Sequence, residues 1–114
     1  MNKKIWLLPI FLLIGCAGNT SKCQWVDAGN PTFKYIKTQT AESLQALIDV
    51  YKKNEAIISK NPEQCPAGAG FYGEYGFLLM QNGQNAEGRE FMRKEIQLYP
   101  ESKTFMLRAL GEKE

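Results

Sequence analysis

From residue 40 onward, apolar residues recur every three or four positions, the spacing of one face of a helix. Leu44, Leu47, Ile48 and Tyr51 form a single stripe, which Ile57 or Ile58 extends, while Lys52, Lys53, Glu55 and Lys60 lie mostly off it. Thr40 suits the N-cap of this helix, Glu42 sits in the first turn where the dipole favours negative charge, and Asn61-Pro62 ends it. The Pro- and Gly-rich stretch 62–70 reads as a loop. A second helix is expected over 71–81, stopped by Asn82-Gly83, with Gly83 fit for a left-handed C-terminal position. A third is expected over 85–98, before Pro100. A fourth, short, follows Ser102 and carries Phe105, Met106, Ala109 and Leu110. Upstream, 23–39 reads as irregular: Ala28-Gly29-Asn30-Pro31 is turn chemistry, and no helix is expected through Asn30-Pro31. Phe33, Tyr35 and Ile36 then offer apolar surface for packing on the helices that follow. No alternating run is long enough for a strand, so the expected fold is all-α, a small domain of about four helices.

The first residues follow a different pattern. Lys3 and Lys4 precede ten apolar residues, 5–14, with no charge among them. That run is half the ~20 residues a membrane-crossing helix needs, which argues against an ordinary anchor, and it has the length of the apolar region of an export signal. Leu13-Ile14-Gly15-Cys16 follows at its end and resembles the lipobox of bacterial lipoproteins. Small residues admit the peptidase between Gly15 and Cys16, and the Cys16 thiol takes a diacylglycerol. Two or three acyl chains hold a protein firmly on a bilayer where one does not. The expected organisation is therefore a signal peptide over 1–15, a lipidated Cys16 with a tether and irregular segment over 16–39, and a helical domain over 40–114. Ala17, where enteric lipoproteins retained at the inner membrane carry Asp, points to the outer membrane, facing the periplasm.

Losing Lys3 and Lys4 with the signal leaves twelve basic side chains against twelve acidic ones. No basic stripe remains, so nucleic acid is not an expected partner. Cys23 and Cys65 form an even pair, and in an oxidising periplasm they read as a disulfide; the alternative is two unrelated thiols. The chain contains no His, which removes Ser-His and Cys-His nucleophilic systems and most zinc sites. Gly68, Gly70 and Gly73 surround a helix start, but no Lys-Ser/Thr follows to make a phosphate loop. Glu87, Glu90 and Glu95 read as solvated glutamates with Lys and Arg neighbours. No enzyme, no metal, no small-molecule substrate and no cofactor beyond the covalent lipid on Cys16 is expected.

Residues 69–102 also fit, without a gap, the 34-residue tetratricopeptide pattern. Tyr72 and Gly76 take its bulky-then-Gly positions, with Tyr75 beside them; Gly83 takes the turn, Gly88 the small position of the second helix, Met92 with Phe91 the large apolar one, and Pro100 the close. Two positions depart from it: Gly88 stands where Ala is usual, and Glu95 where a small residue is usual. One unit cannot bury both its faces, so the helices over 40–60 and 103–110 are expected to cover it.

Several stretches together resemble the DUF4810 family of small bacterial lipoproteins: GFYGEYGFLLMQNG over 70–83, FMRKEIQLYPES over 91–102 with Phe105-Met106 after it, Trp25, FKYIK over 33–37, and AESLQALIDVYKKNEAII over 41–58. The run from Lys94 to Ser102 is the most specific part. Val26 stands where the family usually has Gly, and the loop CPAGAG over 65–70 is longer than usual. The family has no established activity. Its members are often encoded beside two other lipoproteins, one resembling the curli secretion channel, which implies a periplasmic part of an outer-membrane assembly.

Three functions follow as expectations. The first is a non-catalytic adaptor or accessory subunit, anchored to the membrane by its lipid and binding other envelope lipoproteins or an outer-membrane assembly through Trp25, Phe71, Tyr72, Tyr75 or Tyr99. It requires an exposed apolar surface larger than monomers usually show. The others are a regulator of a cell-wall enzyme, and a passive structural lipoprotein that tolerates changes at its surface aromatics.

Overall fold

The computed structural model describes residues 23–113. The signal segment 1–15, Cys16 and the tether 17–22 lie outside the described residues. Those described form five α-helices and one short 3-10 turn: α1 (Gly29–Thr38), α2 (Ala41–Lys60), α3 (Phe71–Gln81), α4 (Asn85–Leu98), the turn Pro100–Ser102, and α5 (Lys103–Leu110). The all-α expectation holds, and the helices read over 71–81 and 85–98 have those bounds.

The segment over 23–39 corrects the sequence reading, because α1 does run through Asn30-Pro31. Pro31 is the third residue of the helix, where an N–H has no intrahelical acceptor, so its absence costs nothing. The first bond of the ladder runs from Thr32 N–H to the Ala28 carbonyl at 2.9 Å, and Asp27 Oδ1 accepts from Gly29 N–H at 3.1 Å. Helix formation therefore starts around the proline rather than stopping at it. Of the three residues expected to pack, Tyr35 does, whereas Phe33 and Ile36 remain exposed.

Thr40 caps α2 as expected: its hydroxyl accepts from Ser43 N–H at 3.1 Å, and the Ser43 hydroxyl accepts from Thr40 N–H at 3.1 Å. Leu44, Leu47 and Ile48 of the α2 stripe pack on Tyr75, Leu78 and Leu79 of α3, the main core. Ile58, rather than Ile57, continues that burial, packing with Ala67 and Tyr72. Met92 packs with Met106, Leu107 and Leu110, which fixes α5 on α4. Phe105 and Ala109, read as part of that stripe, stay exposed, and Leu107 takes the buried place.

Helices α3 and α4 make a tight hairpin. A Cβ on Gly76 would stand 2.5 Å from the Gly88 carbonyl oxygen, and a Cβ on Gly88 would stand 2.5 Å from the Gly76 carbonyl oxygen. The two glycines need each other: either methyl would meet the partner backbone, which cannot rotate away. This explains why glycine stands where the repeat pattern has alanine. Gly88→Ala gains helix propensity of about 1 kcal/mol yet is expected to destabilise by about 1–3 kcal/mol net, because the helices must part. A denaturant midpoint above the parent's for that variant would contradict this.

The N-terminal strap is held at two points. Cys23 is bonded to Cys65, with Cα atoms 5.7 Å apart. Three residues on, the buried Asn54 of α2 accepts from Val26 N–H at 2.8 Å and donates to the Val26 carbonyl at 2.9 Å.

Candidate functional site

An open apolar groove of about 850 Å³ crosses the domain between α1 and α5, with α3 along its floor. Leu47, Gly73, Leu78, Met92 and Met106 form its base, and Ile36, Phe77 and Phe105 its lips. Phe77 is 50% and Phe105 69% exposed, so the groove offers aromatic surface to an incoming group. Neither of these two phenylalanines is among the five aromatics singled out from sequence. Their signal was the helical period itself: Phe77 falls on the face of α3 away from α2, and nothing in sequence says whether another helix covers that face.

The polar groups of the groove are mostly occupied by the fold. The Tyr51 hydroxyl donates to Glu74 Oε2 at 2.7 Å, the Tyr99 hydroxyl donates to the Ala67 carbonyl, and the Ser102 hydroxyl donates to the Tyr99 carbonyl at 2.7 Å. Glu95, 1% exposed, corrects the reading of it as a solvated glutamate. Its Oε2 accepts from Gly70 N–H at 2.9 Å, and its Oε1 accepts from Tyr72 N–H at 3.1 Å and Gly73 N–H at 3.2 Å. The N-cap of α3 is Gly70, which has no side chain to cap with, so α4 supplies the cap from across the hairpin. Phe71 N–H reaches the Gly68 carbonyl at 3.1 Å, which completes the first turn. The charged residues lining the groove are all carboxylates, namely Glu74, Glu95 and Glu101, with no Lys or Arg among them.

Two of the five expected partner-binding residues are core instead. Tyr72 is 1% and Tyr75 3% exposed. Phe91 stacks on both, with ring centroids 5.6 and 4.5 Å away, and Phe71 meets Tyr72 edge-on at 5.2 Å. The Tyr72 hydroxyl donates to Glu55, and Lys94 Nζ lies 4.5 Å from its ring centre. These rings fill the space between α2, α3 and α4, so substituting them tests folding and not binding. Phe71 is half-buried in the same cluster, and Tyr99 half-buried on the groove wall. Trp25 is half-exposed beside a shallower hollow of about 330 Å³ formed with Asn54, Ile58 and Phe71. The structure thus does not bring the five residues into one surface.

Burial pushes the tyrosine hydroxyls upward. Tyr51 lies above the ordinary value through burial and then its bond to Glu74, and Tyr72 through burial and then its bond to Glu55. Tyr75 is pushed up to about 12, by burial first and then by the negative charges of Glu87, Glu55 and Asp49. An unfolded chain ionises its tyrosines near pH 10, so the stabilisation from these three is complete below pH 10 and is lost as pH rises beyond it. In an alkaline titration, their absorbance at 295 nm is expected to rise together with loss of helical circular dichroism. Ionisation of all tyrosines near pH 10 in a chain that stays helical would contradict the burial.

Among the described residues, no three Cys, Asp or Glu side chains gather as a metal site, and no helix is long and apolar enough to cross a membrane. No curated protein and no solved structure matches the chain. A family model described as a domain of unknown function, DUF4810, matches residues 23–108, from the disulfide-bonded Cys23 into α5. With its strap, its helical hairpin and most of its core inside that match, the chain belongs to the DUF4810 family.

Proposed function

We propose that this protein is a lipoprotein of the outer membrane, facing the periplasm, that acts as a non-catalytic adaptor or accessory subunit of an envelope assembly. The groove carries this reading. It is wide, open and apolar, and most of its polar groups are already hydrogen-bonded within the fold. An extended peptide would bring backbone N–H and C=O groups that find few partners there, at a cost of about 1–3 kcal/mol each. A helix satisfies its own backbone and presents only side chains, so the occupant that fits is the apolar face of a helix on a partner protein. Glu74 and Glu101 on the groove wall favour a partner helix with Lys or Arg beside its apolar stripe. On this reading α3 and α4 form one tetratricopeptide-like unit, closed by α2 on one side and α5 on the other. Cys16 carries the lipid and holds the groove near the membrane.

The test is crosslinking in living cells followed by purification and mass spectrometry, comparing the parent with Phe77→Glu, Phe105→Glu and Cys16→Ala. Both phenylalanines are exposed, so the fold survives the change while the groove gains charge. An envelope protein captured by the parent is expected to fall at least tenfold with either groove variant, as about 1.4 kcal/mol of lost contact requires. A lipidated, folded parent that captures nothing would leave the passive structural reading. A partner whose enzymatic activity changes without stable capture would leave the regulator.

A further inference from the structure

Helix α1 differs from the other α-helices among the described residues in burying none of its residues. Its inner side is held by Tyr35 on the α2–α3 core, while Phe33 is 66% and Ile36 65% exposed. A 100° step per residue places Ile36, Phe33 and Lys37 on one face, with Lys34 on its flank. The helix carries these two lysines and no acidic residue. An apolar pair bordered by cations, on a helix whose other face is docked, is the composition of a helix lying in a membrane interface.

Its position in the chain agrees. Cys23 is fixed to the body of the domain by its bond to Cys65, and α1 begins six residues later, at Gly29. Seven Cα steps separate Cys16 from Cys23 and reach at most about 25 Å when fully extended. A domain on so short a leash stays against the lipid that holds Cys16, and α1 is the first helix beyond the leash. A second copy of the chain is a poorer occupant, because a two-fold pairing of this face would bring Lys34 and Lys37 against their own counterparts. We propose that α1 rests on the phospholipid surface, with Phe33 and Ile36 at the boundary of headgroups and acyl chains and Lys34 and Lys37 on anionic phosphates. The contact sets the orientation of the groove relative to the bilayer, since Ile36 is also part of the groove's lip. This inference rests on the lipid anchor at Cys16.

The experiment uses the mature protein purified from membranes, carrying Trp25→Phe and Phe33→Trp. Trp6 leaves with the signal, so the introduced tryptophan is the single one. The lipid on Cys16 is checked by mass, and the protein is reconstituted in vesicles of phosphatidylethanolamine and phosphatidylglycerol, with and without brominated acyl chains. A blue-shifted emission, quenched by the brominated chains and weakened by Lys34→Glu with Lys37→Glu, is expected. An anchored protein whose emission stays that of water-exposed tryptophan overturns the proposal and leaves the anchor standing. Emission that shifts with protein concentration but ignores the brominated chains overturns it in favour of a second copy. A Cys16 without lipid overturns the anchor reading and this inference with it.

Discussion

Glu95→Ala is expected to lower the unfolding free energy by about 3–5 kcal/mol, as much as truncating a core aromatic. The carboxylate is buried and accepts three backbone N–H groups at the start of α3. Alanine leaves those donors without an acceptor, two of them buried, and it removes a negative charge from the positive end of a helix. It also empties the space beside Gly73, whose Cβ would lie 3.5 Å from the Glu95 Cγ. Glu95→Gln keeps one acceptor oxygen but turns an NH₂ toward donors, so a loss of about 1–3 kcal/mol is expected. Urea unfolding followed at 222 nm measures both. The order alanine, then glutamine, then parent, in rising stability, is the signature of a cap. Equal midpoints for all three would mean that the N–H groups find other partners. Because small domains are stable by only about 5–15 kcal/mol in total, the alanine variant is expected to lose a large share of its stability.

Removing the disulfide, by Cys23→Ser with Cys65→Ser, is expected to cost a comparable amount. The bond joins residues 42 positions apart. On the chain-entropy model, closing a loop of that length stabilises by about 4 kcal/mol. The loss should also be uneven across the fold. With the bond gone, the strap and α1 keep the two hydrogen bonds between Val26 and Asn54 and the packing of the partly buried Ala28 and Tyr35, and α1 has no fully buried residue. Amide exchange in α1 is therefore expected to rise well before exchange in the α3–α4 hairpin, whose glycines and aromatic rings do not involve the strap. Uniform acceleration across all helices would show that the bond acts on the whole domain at once. An unchanged midpoint would show that the strap is held by its contacts alone.

Much of the site was out of reach of the chain's pattern. The tyrosines at 72 and 75 were attractive as binding residues because aromatics concentrate at interfaces, yet they are the largest available fillers for a three-helix junction, and they fill it. A helical period marks which residues share a face; it does not mark which of two apolar faces the neighbouring helices will cover. Helix α3 is apolar nearly all round, so Tyr75 and Leu79 went to the core and Phe77 to the groove. Glu95 shows the converse. It looked solvated because it has charged sequence neighbours, but its partners are backbone N–H groups more than twenty residues earlier.

What the chain determines by itself is local. Thr40 with Ser43 starts α2, Gly83 turns the hairpin and Pro100 follows its end, and the stripe at Leu44, Leu47 and Ile48 selects the face that turns inward. These follow from hydrogen bonds and dihedral preferences within a few residues, and from a period that needs no knowledge of the partner. The tertiary structure decided the rest. It set the reciprocal contact of Gly76 with Gly88, the cap that Glu95 lends to α3, and the groove that α1 and α5 leave open over α3. Each depends on the distance and angle between elements far apart in the chain, and those are set by how the packed faces fit together in three dimensions.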